Sequence, residues 1–347
     1  MPEPDVLIRG AGPVGCTLAL ALRGSGLSVR LLGTPSAAAF RPIVLSYASR
    51  LILERLGVWG ALEATPIETI QVSQAGGFGR TRFDAADCGV PALGYVLEYS
   101  RLMTAFAGPI EALLVQRESA ARCVVHAEGA ATDAVEKRYA QDAVVGIVST
   151  DPPAAVAAYE RFTPDGPLAL LPLARRYALV WSTDPSRAQA LASAAGPVFL
   201  AELAAAAGSR IGRPSAVEAR AMQPLALRVR ATRVGKREVW IGNAAQTLHP
   251  VAGQGLNLGL RDAWDLARLW RAAADPGDAA LLTRYAASRR LDAAATIRAT
   301  DALAGAFLGS GALVRAARGA ALTALDIFPA PRRFFARRMI FGASALP

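Results

Sequence analysis

The apolar positions change their period along this chain, and each change marks an element. Asp5 to Arg9 (DVLIR) is a short run with an apolar centre, of the length of a buried strand. Cys16 to Arg23 (CTLALALR) reads as a helix stopped near Gly24 and Gly26, and Leu27 to Leu32 (LSVRLL) as a second strand. Asp142 to Ser149 (DAVVGIVS) and Leu168 to Ser182 are strand-rich, set among turn residues such as Asp151-Pro152-Pro153 and Thr163-Pro164-Asp165-Gly166. Ala188 to Ala207 reads as an Ala-rich helix interrupted at Gly196-Pro197. Val239 to Ile241 reads as a strand, and a helix opens at Gly253-Gln254-Gly255 and runs through Leu256, Leu260 and Trp264. After Asp278 the pattern is helical to the end, including Ala280 to Ala304. There is no internal repeat and no uninterrupted apolar stretch of about 18 residues, so no membrane span is predicted.

Composition narrows the classes. The chain has 347 residues, 53% hydrophobic and 19% charged, enough for a large core, too apolar for disorder and long enough for two domains. Lys plus Arg is 38 against 28 Asp plus Glu, a net charge of +10. Most of the cations are Arg beside Ala-rich stretches, which fits either a GC-rich genome or attraction to anionic surfaces such as membranes and nucleotides. Without an aromatic-basic RNA motif, zinc finger or helix-turn-helix pattern, nucleic acid is not an expected partner. Cys16, Cys88 and Cys123 are few, odd in number and far apart, and the histidines are His126 and His249 alone, so neither a disulfide framework nor a metal cage is expected. Asp5 and Arg9 interrupt the N-terminal apolar run and no small-residue cleavage site follows, so no signal peptide is expected, and a reducing cytoplasm is the expected compartment.

The first motif is Gly10-Ala11-Gly12-Pro13-Val14-Gly15, a G-x-G-x-x-G between a strand and a helix, with a second strand following within about 30 residues. Gly10 permits the tight turn, Gly12 lets backbone approach a pyrophosphate, and Gly15 lets the helix pack on the strand. The helix N-terminus offers free N–H groups and partial positive charge to phosphates. The second strand lacks the usual terminal acid for the ribose hydroxyls. The run is Leu31-Leu32-Gly33-Thr34, leaving Thr34 or Ser36 as weaker partners.

The second motif is Trp240 to Asp262 (WIGNAAQTLHPVAGQGLNLGLRD). It resembles the G-D/N-A-A, H-P, G-Q-G-x-N-x-G-x-x-D segment of flavoprotein aromatic hydroxylases. With Asn243, Gln246 and Thr247, it is most similar to the ubiquinone-biosynthesis FAD-dependent hydroxylases. Arg41-Pro42-Ile43-Val44-Leu45-Ser46 with Leu56-Gly57-Val58-Trp59, and Ala158-Tyr159-Glu160-Arg161-Phe162-Thr163-Pro164 through Leu173, resemble further segments of that family. The resemblance covers most of the chain and is weakest over Ala105 to Ser119.

The resemblance implies an α/β fold: an FAD-binding Rossmann-like domain of the glutathione-reductase/PHBH type, an inserted β-sheet substrate domain and a helical C-terminus. The expected divisions are 1–62, 93–129 and 235–274 for FAD, 63–92 and 130–234 for substrate, and 275–347 for the helical region. Leu93 to Ala107 resembles the family's helix before a meander. Only about fifteen residues then precede the returning strand Cys123 to Gly129, too few for three strands of ~5–6 residues. The excursion is therefore expected to shrink to a loop or one strand, leaving the adenosine side of FAD less covered.

Implied FAD-binding residues are Gly10, Gly12, Pro13, Gly15, Arg41, Asn243, Pro250, Gly253, Gln254, Gly255, Leu256 and Asn257. Pro172 resembles the family's proline facing the flavin ring, and His249 either shapes its turn or moves a proton. His126 is read as a core or edge histidine. The implied chemistry is reduction of FAD by NAD(P)H or another donor, formation of a flavin C4a-hydroperoxide with O2, and hydroxylation of a polyprenylphenol. The rival readings are another flavin-dependent oxidoreductase, such as a reductase or halogenase, and a non-catalytic flavoprotein subunit among other quinone-biosynthesis proteins. The aromatic and basic run Phe328 to Phe341 fits either a helix packed on the body or one lying peripherally on the inner membrane.

Overall fold

Val6, Leu7 and Ile8 have no exposed surface, and they form β1 (Val6–Arg9) inside a parallel sheet. The computed structural model describes residues 3–36, 41–131, 133–249, 253–308 and 311–342. In chain order the strands are β1, β2 (Val29–Leu32), β3 (Pro42–Ser46), β4 (Thr65–Ile67), β5 (Thr69–Gln74), β6 (Arg80–Asp84), β7 (Gly94–Glu98), β8 (Leu114–Val115) and β9 (Cys123–His126). Then come β10 (Ala134–Asp151), β11 (Ala157–Thr163), β12 (Gly166–Leu173), β13 (Arg176–Thr183), β14 (Arg213–Arg230), β15 (Val234–Gly235), β16 (Glu238–Trp240) and β17 (Gln246–Thr247). The helices are α1 (Pro13–Ala21), α2 (Tyr47–Arg55), α3 (Tyr99–Ile110), α4 (Pro185–Ser193), α5 (Gly196–Ala207), α6 (Gln254–Trp270), α7 (Ala279–Leu308), α8 (Ala312–Ile327) and α9 (Pro329–Phe341).

Three sheets divide the work. The first has the order β15-β16-β9-β1-β2-β8, parallel apart from the β15–β16 hairpin. Helix α1 is buried along its whole length, which accounts for its continuous run of apolar and small residues. A Cβ on Gly15 would lie 2.0 Å from the Gly10 carbonyl oxygen, so only glycine lets α1 start this close to β1. Leu260, Ala263, Leu266 and Trp270 of α6 pack into the same core. Each such fully buried large side chain contributes roughly 1.5–3 kcal/mol.

The second sheet, β17-β14-β10-β13-β12-β11-β5-β6, is antiparallel except where β5 meets β11. One face buries Leu170, Leu179 and Trp181 against Leu191, Phe199 and Leu203 of α4 and α5. Its opposite face looks toward the third sheet, β3-β7-β4, where Ile67 and Val96 meet Ile147, Ala158 and Ala178. The small sheet thus fills the space between the two large ones.

Several expectations need adjusting. Gly94 to Glu98 is not helical but the central strand of the small sheet, with Val96 and Leu97 fully buried between two partners. The helix begins at Tyr99. The small sheet joins β3 and β7 to β4, and so crosses the expected boundary between FAD and substrate segments. Likewise β17, from the expected FAD segment, extends the second sheet through β14. Between α3 and β9 the described chain forms one two-residue strand, β8, paired in parallel with β2 at the sheet edge. The expected interruption of the Ala-rich helix at Gly196-Pro197 is present, since α5 opens there, where proline suits a first turn.

Candidate functional site

The two glycine motifs meet on one cavity of about 770 Å³. Gly10, Gly12 and Pro13 form one end of its wall with Arg41, Asn243, Gly253, Gln254, Gly255, Leu256 and Asn257. Neither α1 nor α6 has a side-chain cap at its N-terminus, and neither carries an acid in its first turn. The positive dipole ends of both helices therefore point at the cavity with no carboxylate of their own first turns to offset them.

The glycines separate by what they are needed for. Gly10 has φ +108°, and a Cβ there would collide with Glu128, so it serves the turn. Gly12 has an ordinary extended backbone, φ −80° and ψ 179°. A Cβ on it would meet only the Tyr99 hydroxyl at 3.8 Å, and one on Gly255 would meet nothing within 4 Å. The protein's own packing does not require glycine at either place. Both leave open the path that a pyrophosphate and a flat ring system need, and in this respect the residues fit FAD.

At the adenosine end, Gly33 and Thr34 line the cavity without a carboxylate on β2. Glu128 and Gly129, after β9, stand on the same wall. Asn243 is exposed to the cavity on the turn after β16, where its amide is available to a ligand. Asn257 differs, because its amide is consumed by the protein. Its Oδ1 accepts from the Ser46 N–H at 2.8 Å and the Ser49 hydroxyl at 2.7 Å, and its Nδ2 donates to the Val44 and Gly253 carbonyls. It clasps α6 to the β3–α2 corner and so fixes the direction of the α6 N-terminus. Gln254 likewise donates to the Met339 carbonyl of α9 at 3.2 Å.

Pro172 is not on the cavity wall. Along β12, Pro167, Ala169 and Leu171 face the cavity, so strand alternation turns Pro172 to the other side of the sheet. Pro250 lies outside the described residues. His126 is partly buried on β9, stacked on Trp240 at 4.8 Å and away from the cavity wall.

His249 lines the cavity, yet only 1% of it is exposed, and its ring packs edge-on against Tyr139 at 4.8 Å. Burial pushes its imidazole down to about 4, only partly opposed by Asp301, so the folded protein holds it neutral near pH 7. The unfolded chain takes up that proton near pH 6.5, so between about 6.5 and 4 it binds more protons than the fold. Acidification through this window removes stability on the order of 3 kcal/mol. In urea unfolding measured from pH 7 to pH 4, His249→Gln should lose stability less steeply than the parent. Equal slopes would refute this account of His249.

Sequence reading gave Asp262 no role beyond its place in the motif. Asp262 is fully buried and accepts hydrogen bonds from the Gly242 N–H at 3.2 Å, Gln246 Nε2 at 2.8 Å and Arg289 Nε at 2.8 Å, with Arg233 Nη1 at 3.3 Å. Arg289, 2% exposed, also donates to Asp292 at 2.7 Å, which in turn binds Arg261 at 2.8 Å. Burial alone would raise the Asp262 carboxyl, but Arg233 and Arg289 hold it below its ordinary value. This network locks the Gly242-Asn243 turn to α6 and α7. The i, i+3 spacing of Arg289 and Asp292 could have signalled it, but their partners lie 24 to 31 residues away in sequence.

The cavity continues from the cradle into a largely apolar chamber beneath the second sheet. Leu322 and Leu325 of α8 and Phe335 and Met339 of α9 close it from the far side. No described helix is long and apolar enough to cross a membrane.

The FAD binding domain family matches residues 115–300. Ubiquinone hydroxylase UbiL of Rhodospirillum rubrum is 31% identical over 96% of this chain and 88% of its own length. The 3-demethoxyubiquinol 3-hydroxylase of Escherichia coli is 31% identical over 74% of this chain and 77% of its own. Among solved structures, p-nitrophenol 4-monooxygenase PnpA of Pseudomonas putida superposes with a TM-score of 0.79 at 17% identity, covering 98% of this chain and 99% of that one. HpxO of Klebsiella pneumoniae, complexed with FAD, gives 0.75 at 15% identity over 99% of both chains. A cradle whose glycines leave room for a dinucleotide, joined to a largely apolar chamber, is thus carried by a chain that belongs to the FAD-dependent monooxygenase family.

Proposed function

We propose that this enzyme hydroxylates the aromatic ring of a polyprenylated phenol in ubiquinone biosynthesis, using O2 and electrons from NAD(P)H. The observation that carries the reading is the continuity of the cavity from the glycine cradle into an apolar chamber. The relatives named as ubiquinone hydroxylases support the substrate class. Bound FAD supplies the activation of O2 and the transfer of one oxygen atom. The chain does the rest. The N–H groups at the start of α1 hold the pyrophosphate, and Asn243 and Arg41 offer polar contacts along the cofactor. The α6 N-terminus directs positive potential toward the ring that becomes anionic on reduction. Leu322, Leu325, Phe335 and Met339 exclude water and hold an apolar substrate.

The same helices support peripheral membrane access. Their inner faces line the chamber, whereas Leu313, Ile327, Phe328 and Phe334 are 58 to 83% exposed, with Arg333 and Arg337 also exposed. An apolar and cationic surface of this kind suits the headgroup region of an anionic bilayer, where the prenyl tail resides.

The test uses the FAD-loaded full chain, NAD(P)H and a 2-polyprenylphenol carried in vesicles containing anionic lipid. The expected product is heavier by one oxygen atom, and its label comes from 18O2. Replacing Phe328 and Phe334 together by Ser should reduce co-sedimentation with these vesicles and slow turnover of the long-tailed phenol, sparing a short-tailed one. Absence of labelled product in the presence of FAD would reject the reading. Unchanged co-sedimentation would reject the membrane part alone.

A further inference from the structure

The sheet-side wall of the chamber carries one ionisable carboxyl among apolar neighbours. Glu160 on β11 is flanked across the sheet by Val72 of β5 and Ala169 of β12, and along its own strand by Ala158 and Phe162. The same row continues through Val180 and Val145. All of these residues line the cavity. No described residue hydrogen-bonds or ion-pairs with the Glu160 carboxyl, and burial alone pushes it up to about 7.

Among the described residues no opposite charge forms an ion pair with this carboxyl. Neither β5 nor β12 contains a charged residue. Arg161 turns to the other face, beside Gly208 at the end of α5. From α8, Arg318 lies over the Phe162 ring at 4.6 Å, and α9 presents Phe335, Ala336, Met339 and Ile340. The cavity's other titratable groups are Arg41, Tyr99, Glu128 and His249 toward the cradle and Tyr159 beside Glu160. Glu160 is half-buried and faces the cavity, so its carboxyl becomes costly once an apolar ligand expels water there, unless that ligand supplies a hydrogen-bond partner.

We propose that Glu160 receives the phenolic hydroxyl of the substrate, accepting its hydrogen bond on binding and its proton during oxygen transfer. This rests on the ring-hydroxylation reading above. As the O–H bond breaks, its electron pair enters the ring, and the carbon ortho or para to it bonds one atom of O2. The other oxygen atom leaves as water, the two electrons coming from NAD(P)H. Loss of the ring C–H proton restores aromaticity, and the proton held by Glu160 returns to the phenolic oxygen. The carboxylate is then regenerated. The apolar neighbours make the carboxyl selective for a head group with one hydroxyl aimed at the sheet and hydrocarbon elsewhere.

The experiment compares the FAD-loaded parent, Glu160→Gln and Glu160→Asp. Glu160→Gln should retain FAD, form product at least tenfold more slowly and divert NAD(P)H oxidation to hydrogen peroxide. The parent's rate should rise with pH through about 7 as the carboxylate forms, a step that Glu160→Gln loses and Glu160→Asp partly restores. A second measurement needs no turnover: binding of a short-tailed prenylphenol and of its methyl ether, followed by flavin absorbance. The parent should prefer the phenol by roughly tenfold, the scale of a hydrogen bond to a charged group, and Glu160→Gln should lose that preference. Equal binding of phenol and ether by the parent, or an unchanged rate and pH profile in Glu160→Gln, overturns the assignment. Preferential phenol binding without any hydroxylated product overturns the hydroxylation reading and leaves Glu160 as the hydroxyl acceptor.

Discussion

Gly12→Val is expected to give a folded protein that no longer retains FAD. The extended backbone at Gly12 is open to any residue, and the first added carbon meets only the Tyr99 hydroxyl at 3.8 Å. The cost to the fold is confined to a poorer residue at the start of α1, about 1 kcal/mol. The cost to the ligand is much larger, because two methyl groups then fill the path of the pyrophosphate. Forcing that much volume into a closed contact costs about 3 kcal/mol, so FAD affinity should fall by about a hundredfold or more. Flavin fluorescence titration with a parallel melting curve checks both halves. Gly15→Ala is the contrasting control, since its Cβ would collide with the Gly10 carbonyl and should disturb folding itself. FAD binding by Gly12→Val at parental affinity would falsify the cradle.

Arg289→Met should be among the most destabilising single substitutions in the molecule. The guanidinium is 2% exposed and serves Asp262 and Asp292, both also buried, as well as the less buried Asp265. Burial works against its charge, but those three carboxylates hold it protonated. Removing it strands buried carboxylates, at a cost of about 3–5 kcal/mol. Asp262 also accepts from the Gly242 N–H, so the turn carrying Asn243 should loosen and FAD retention should drop with stability. Arg289→Lys keeps the charge but not the planar fork, and should recover only part of the loss. The check is the urea midpoint of each variant with and without FAD. A midpoint for Arg289→Met equal to the parent's would show that the network is dispensable.

The parts of this site that were legible in sequence are those where local backbone and chemistry coincide. A glycine spacing between a strand and a helix states its own geometry, and the Asn243 to Asn257 segment carried enough particular residues to identify a family. Leu93 to Ala107 was read as one helix by resemblance, and its first part was missed because the strand Gly94–Glu98 runs into α3 at Tyr99 without an intervening turn residue. The 18-residue strand β14 was silent for the opposite reason. Much of it up to Pro224 is exposed, so Glu218, Arg220 and Gln223 erase the alternation that β10 shows. Pro172 was assigned by resemblance, whereas its face depends on the alternation along β12, which turns Pro167, Ala169 and Leu171 to the cavity. Asp262 and Arg289 gave no signal, since their pairing depends on where α6 and α7 cross. Glu160 stood in a motif, but its isolation among Val72, Ala169 and Val180 is a property of register.

The order of the parallel sheet has a consequence for biosynthesis. Strand β9 pairs with β1 on one side and with β16 on the other, and β16 is made more than a hundred residues later. At ribosomal rates of about 5–20 residues per second, β9 therefore waits on the order of ten seconds with an unpaired edge. During that interval the N-terminal glycine turn exists without the helix that faces it across the cavity, because α6 follows β16. The nascent chain cannot gain stability from the cofactor until nearly three quarters of it has been synthesised. Its early half depends on avoiding self-association through that open edge, which makes folding yield in the cell sensitive to chaperone supply and to the pace of translation between β10 and β14.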